Sequence, residues 1–149
     1  MSVPKNRRKD AAAQFIQDAR ELRIITMRIV KKFPKSYRWI VTNNMLNLAG
    51  EIYINCIRAN SIYLHEKLSE QDFELRSRYL RIAIADTEAL LAEISFCYEL
   101  VDDGNNYFRD KNEYVRQFSR WVEQGNTVLN RIQALAKNDK KRWKAFHEA

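Results

Sequence analysis

Two groups of residues in this sequence have types and spacings that chemistry can use. Arg58 and His65 are separated by six residues. On a continuous helix, seven steps of 100° return to nearly the same face, about 10.5 Å further along the axis. The second group is cationic. Arg20, Arg23, Arg28, Lys31, Lys32, Lys35 and Arg38 stand against Glu21 alone between residues 20 and 38, a local charge of +6. Towards the other end, Lys140, Lys141, Arg142 and Lys144 interleave with Trp143 and Phe146. Phosphate contacts need only well-placed positive charge and carry no base sequence. Aromatic rings among the cations can stack on unpaired bases. Arg28, Lys31, Lys32, Lys35, Arg38, Lys140, Lys141, Arg142 and Lys144 are therefore the candidate nucleic-acid contacts. The plainer alternative is a solvated charged surface with a frayed basic terminus.

Charge and composition narrow the field further. The chain has 149 residues and a formal net charge of +7. Residues 1–10 and residues 137–149 each carry +3, so the intervening 11–136 are close to neutral at +1. Within that body, residues 83–108 hold Asp86, Glu88, Glu93, Glu99, Asp102 and Asp103 with no Lys or Arg. This acidic stretch can pair with the basic one inside a subunit or between subunits. With 46% hydrophobic residues the chain has material for a core, and 149 residues make one domain the expectation. Gly 3 and Pro 2 argue against a turn-rich all-β fold, a Gly-loop nucleotide fold and a linker-rich chain. No Glu-x-x-His pair, nucleophile–His–acid set or zinc spacing is present, and no metal or cofactor is expected. Cys56 and Cys97 lie in apolar helical pattern, where a free thiol behaves as a small hydrophobe. The N-terminus lacks an apolar signal region, and the uncharged stretch from Trp39 to Gly50 is too short to span a bilayer. A reducing cytoplasm and no membrane partner are the expectation.

Four helices must position these groups. The first is predicted from about Asp10, as cap, to Phe33, with Phe15, Ala19, Leu22, Thr26, Ile29, Val30 and Phe33 at helical spacing, and Pro34 ends it. The second is predicted from Ser36 to about Lys67. Its core stripe is Val41, Met45, Leu48, Ala49, Ile52, Cys56, Ala59 and Tyr63. A second stripe, Trp39, Leu46, Tyr53, Ile57 and Leu64, lies about a quarter turn away. Two stripes place this helix either centrally in a bundle or in an oligomer interface. The third helix is capped by Ser69 and buries Phe73, Leu80, Ile84, Thr87, Leu91, Ile94 and Tyr98. A turn at residues 102–106 follows, then Asp110 and Glu113 at capping-box spacing open the fourth. Its stripe is Tyr114, Phe118, Trp121, Gly125, Val128, Ile132 and Leu135. Short connections favour antiparallel neighbours. The expected fold is all-α, an up-down-up-down antiparallel four-helix bundle over residues 10–136. A basic arm (1–9) and a basic tail (137–149) flank it.

Two resemblances bear on function. The Arg58–His65 spacing resembles the Arg–(four to six)–His signature of HEPN-type ribonucleases, which cleave RNA as dimers without metal. More extensively, Phe33-Pro34-Lys35-Ser36-Tyr37-Arg38, then Asn43 to Ile52 and Ile57-Arg58-Ala59-Asn60, together with Arg78 to Ala83 and Glu123-Gln124-Gly125, resemble a bacterial four-helix-bundle family. That family includes the intervening-sequence proteins of large-subunit ribosomal RNA genes. It also includes Avd, the accessory variability determinant of diversity-generating retroelements. The likeness covers roughly residues 12–136. It implies a non-enzymatic, bacterial or phage-encoded accessory protein forming a homopentameric ring that binds a reverse transcriptase and template RNA, with DNA a further possible partner. The other readings are the HEPN-like ribonuclease using Arg58 and His65, and a structural scaffold bundle.

Overall fold

The computed structural model describes residues 14–100 and 111–148. Four helices account for most of them: α1 (Gln14–Val30), α2 (Asn43–Asn60), α3 (Glu70–Leu100) and α4 (Lys111–His147). Each packs on its neighbours in sequence, and α4 closes against α1. Pairings across the seams show every neighbour to be antiparallel. Asp18 and Lys32 of α1 and its exit meet Arg131 and Glu113 of α4, while Met45 and Ala59 of α2 meet Cys97 and Arg76 of α3. The protein is an all-α, up-down-up-down four-helix bundle.

The core stripe of α1 is buried as its spacing predicts: Phe15, Ala19, Leu22, Thr26, Ile29 and Val30, with Ile25 beside them. At its end, Lys32 and Phe33 donate to Ile29 and Val30, tightening the last turn before Pro34 adopts extended backbone (φ −66°, ψ 154°). Trp121 is fully buried and ties α4 to α1. Its indole N–H donates to Thr26 Oγ1 at 2.9 Å, and that hydroxyl donates to Leu22 O at 2.7 Å. Gly125 lies where α4 and α3 approach closely. A Cβ there would come within 2.6 Å of Leu91 Cδ2.

Three boundaries differ from the sequence expectation. The second helix does not begin at Ser36. Lys35–Tyr37 form a 3-10 turn and Arg38–Thr42 a π turn, closed by Asn43 N–H donating to Arg38 O. Nor does it reach Lys67. The α2 helix stops at Asn60, where Ser61 N–H turns back to Ile57 and Arg58, and the Ser61 hydroxyl donates to Arg58 O at 2.6 Å. Tyr63, expected in the core, is exposed, whereas Leu64 is buried from a non-helical segment. Tyr98 of the third stripe is likewise exposed. Finally, α4 runs to His147, so the expected tail is a continuation of the bundle. Ser69 caps α3 as expected, its Oγ accepting from Asp72 N–H at 3.1 Å. The Asp10 cap, the 1–9 arm, the 102–106 turn and Asp110 lie outside the described residues.

The end of the bundle away from Pro34 is held by a buried ion pair. Arg76 Nε and Nη2 donate to the two carboxylate oxygens of Asp139 at 2.7 and 3.2 Å. Its Nη1 donates to Ile62 O at 2.8 Å and Ala59 O at 3.3 Å. One guanidinium thus joins α3 to α4 and satisfies carbonyls where α2 ends. Removing one partner of such a pair strands the other's charge. Asp139→Ala is expected to cost about 3–5 kcal/mol in denaturant unfolding, and the Arg76→Met/Asp139→Leu double variant is expected to recover part of that loss.

Candidate nucleic-acid interface

The cationic segment spans the exit of α1, the 3-10 turn and the first residue of the π turn. Arg28 lies in the last turn of α1, where positive charge complements the carbonyl end of the helix dipole. Arg28, Lys31, Lys35 and Arg38 stand at this end: Arg28, Lys31 and Lys35 are exposed, and Arg38 opens the outward-facing run of the π turn. Lys32 is different: it is half-buried, and its Nζ meets Glu113 Oε1 at 2.7 Å. It fastens the start of α4 to the exit of α1. Glu113, expected in a capping box, makes this pair. Arg23 is turned inward along the bundle, its guanidinium lying 5.7 Å from the Tyr53 ring centroid and against Gly50.

The second cationic group lies at the opposite end. The α4 helix runs antiparallel to α1, so Lys140, Lys141, Arg142 and Lys144 are about 40 Å along its axis from Glu113, at 1.5 Å per residue. All four are exposed. Their aromatic neighbours, however, are engaged within the protein. Trp143 stacks on Phe73, with centroids 4.4 Å apart and planes at 2°, and His147 packs on its ring at 4.2 Å. The Arg142 guanidinium lies 5.8 Å from the Phe146 centroid and reaches Leu64 O at 3.4 Å. The sequence pattern offers Trp143 to nucleic-acid bases; in the fold its stacking partner is Phe73.

Arg58 and His65 do not share a helix face. The premise fails because α2 ends between them. Arg58 reaches Asn55 Oδ1 at 3.5 Å. His65 sits in the connection to α3, its Nδ1 accepting from Lys67 N–H at 3.2 Å and its ring stacked by Tyr63 at 5.9 Å. The expected oligomer stripe is also divided. Leu46 and Tyr53 pack partly against the core, Ile57 is exposed, Leu64 is buried beyond the helix, and Trp39 sits on the π turn before it.

Other chemistry is sparse. Burial pushes the Cys56 and Cys97 thiols up to about 12, with Glu93 adding to the effect at Cys97, so both remain protonated at neutral pH. Tyr114 is also raised to about 12, chiefly by burial, and its hydroxyl donates to Tyr98 O at 2.5 Å. Among the described residues no group of three or more His, Cys, Asp or Glu side chains is arranged to hold a metal. No described helix is long and apolar enough to cross a membrane. Sequence reasoning missed an open groove of about 800 Å³ between α3 and α4, floored by Leu91, Ile94 and Phe118 and edged by Tyr98, Val115 and Val122. Val115 and Val122 are one heptad apart on α4, a signal hidden by the stronger stripe beside it.

In the acidic C-terminal half of α3, Asp86 is lifted above the ordinary aspartate value, first by burial and then by the Glu51 carboxylate on α2. The folded state therefore holds this proton more tightly than the unfolded chain. Its effect on stability is unfavourable once the pH exceeds the raised value and fades as the pH falls through it towards the ordinary one. Asp86→Asn is expected to raise the denaturant midpoint slightly at pH 7 and to leave it unchanged at a pH well below the ordinary aspartate value. Parallel urea titrations at the two pH values measure this.

Comparisons with protein-family models, with curated proteins and with solved structures find no match to this chain.

Proposed function

We propose that this protein is a non-enzymatic, nucleic-acid-binding accessory protein that acts as a homo-oligomer. The observation that carries the reading is the clustering of Arg28, Lys31, Lys35 and Arg38 on consecutive elements at one end of the bundle. Cations on the surface near a helix exit and two tight turns suit a phosphate backbone, which rewards charge density without demanding base-specific geometry. The more specific role follows the resemblance of the Phe33–Arg38 turn and the helices after it to Avd. On that reading the oligomer is a pentameric ring that serves a reverse transcriptase and its template RNA during mutagenic cDNA synthesis in a diversity-generating retroelement. Ring assembly would multiply each cationic end into a multivalent surface with no change within the protomer. The α2 face with exposed Ile57 and half-buried Leu46 and Tyr53 is the surface proposed for self-association.

The test combines salt dependence with a cluster variant. The protein is expected to bind structured RNA with an affinity that falls steeply as salt rises. Changing Arg28, Lys31, Lys35 and Arg38 together to Ala is expected to weaken binding at least about tenfold and to flatten the log–log salt slope by about 3 to 4, at about 0.7–0.9 for each of the four phosphates left unneutralised. Fluorescence anisotropy at several salt concentrations gives both values. Unchanged affinity removes the site assignment. Light scattering on the same samples measures the mass, and a strict monomer removes the ring. Co-purification with a reverse transcriptase encoded beside the gene, carrying its template RNA, is the corresponding test of the retroelement role.

A further inference from the structure

The π turn presents an aromatic residue that the fold does not use. Trp39 is 85% exposed and Ile40 beside it is 67% exposed. The other two tryptophans are committed to packing: Trp121 is fully buried and Trp143 lies on Phe73. Among the described residues no ring or guanidinium stacks on Trp39.

This exposure is held in place by the turn. Val41 and Thr42 are buried on one side of it, and Tyr37 on the other is half-buried against the core, 6.3 Å from the Phe33 ring. Thr42 Oγ1 donates to Tyr37 O at 3.4 Å, and Asn43 N–H closes the turn on Arg38 O. With both flanks anchored inward, the residues between them, Arg38, Trp39 and Ile40, are turned outward. π turns recur where a helix is distorted to place functional residues. The cations Lys35 and Arg38 lie within four positions of the indole, and Arg28 and Lys31 lie on the adjoining exit of α1.

We infer that Trp39 is a base-stacking platform, and that the end of the bundle carrying it binds single-stranded nucleic acid, with Lys35 and Arg38 on the flanking phosphates. This deepens the proposed function and rests on it. The preference for single strands follows from the geometry of stacking. In a duplex each base already lies between its neighbours, whereas an unpaired base offers a free π face to an indole. The surrounding positive charge suits the backbone of that same strand and accounts for the choice of a polyanion over an apolar protein segment. Ile40 extends the apolar surface beside the ring.

The whole protein is titrated with a fluorescein-labelled uridine-rich RNA strand of about 12 nucleotides and with an RNA duplex of the same length, following anisotropy and, with unlabelled RNA, tryptophan emission. The single strand is expected to quench emission and to bind several-fold more tightly than the duplex. Trp39→Ala is expected to weaken single-strand binding by roughly 5- to 50-fold while leaving duplex binding and the salt slope unchanged. Trp39→Phe is expected to restore most of the loss. Far-ultraviolet circular dichroism of each variant checks that the bundle is intact. Equal weakening of strand and duplex by Trp39→Ala, or no weakening of either, overturns the inference. So does a fall in oligomeric mass for that variant with RNA affinity per protomer unchanged, which assigns the indole to a second copy of the chain. Emission that shifts on phosphatidylserine vesicles but is not quenched by RNA overturns it in favour of a lipid surface. If wild-type protein binds duplex and strand equally, this inference fails and the proposed function stands; if it binds neither, both fail.

Discussion

A helix that stops inside a protein leaves carbonyl oxygens that must find donors, and this bundle meets that demand at the end of α2 with the Arg76 guanidinium. The solution has consequences in three directions. Arg76 carries a charge into a site where it is almost fully enclosed, so a carboxylate must accompany it, and Asp139 supplies one from α4. Asp139 in turn requires α4 to continue well beyond its apolar stripe. That continuation brings Trp143 onto Phe73 at the start of α3 and Arg142 to the Leu64 carbonyl. The short connection from α2 to α3, Ser61 to Ser69, is thereby tied to α3 and α4 rather than left as a free loop. At the opposite end, Lys32–Glu113 joins the exit of α1 to the start of α4, but with both groups less buried. The two ends of the bundle are thus closed by different means: a desolvated, multiply bonded pair at one and a shallower bridge at the other.

This difference matters for the candidate interface. Exposed surface pairs contribute little because water screens them and flexible side chains lose entropy in making them. The cationic end is built mainly from such exposed groups, and their charge remains directed at solvent. The Arg76 end has committed its internal cation to the fold, and Lys140, Lys141, Arg142 and Lys144 of α4 are among the cations it still exposes. The chain therefore carries two separate clusters of exposed cations, one at each end of the bundle. The two basic segments, 20–38 and the run from Lys140 to Lys144, were legible from the distribution of residues; that they fall at opposite ends follows from the antiparallel path of α4.

Much of the fold was legible because apolar periodicity reports directly on burial. The stripes of α1 and α4 match the buried set almost residue for residue. Each failure has a physical origin. Tyr63 and Leu64 continue the apolar pattern of α2 after its backbone has left helical geometry, because a non-helical segment can still bury a leucine. The π turn adds a residue to one turn, which displaces Trp39 from the line it would share with Leu46 and Tyr53 on a regular helix. Asp139 and Arg76 give no local sign of burial in the sequence, since each finds its partner 63 positions away. Once that pair is recognised, Ile132, Ala136, Asp139, Trp143 and Phe146 form one inward stripe, and the tail becomes helix. The cationic site was visible as composition; the outward placement of Trp39 required the turn.

The two cysteines have a consequence beyond their packing. Cys56 and Cys97 are enclosed in the core, Cys97 against the Met45 sulfur at 3.9 Å, and both hold their protons far above neutral pH. Thiol exchange and peroxide oxidation both proceed through an accessible thiolate. Neither folded thiol offers one, so Cys56 and Cys97 are closed to exchange and to peroxide, and the core holds together without a covalent crosslink between them.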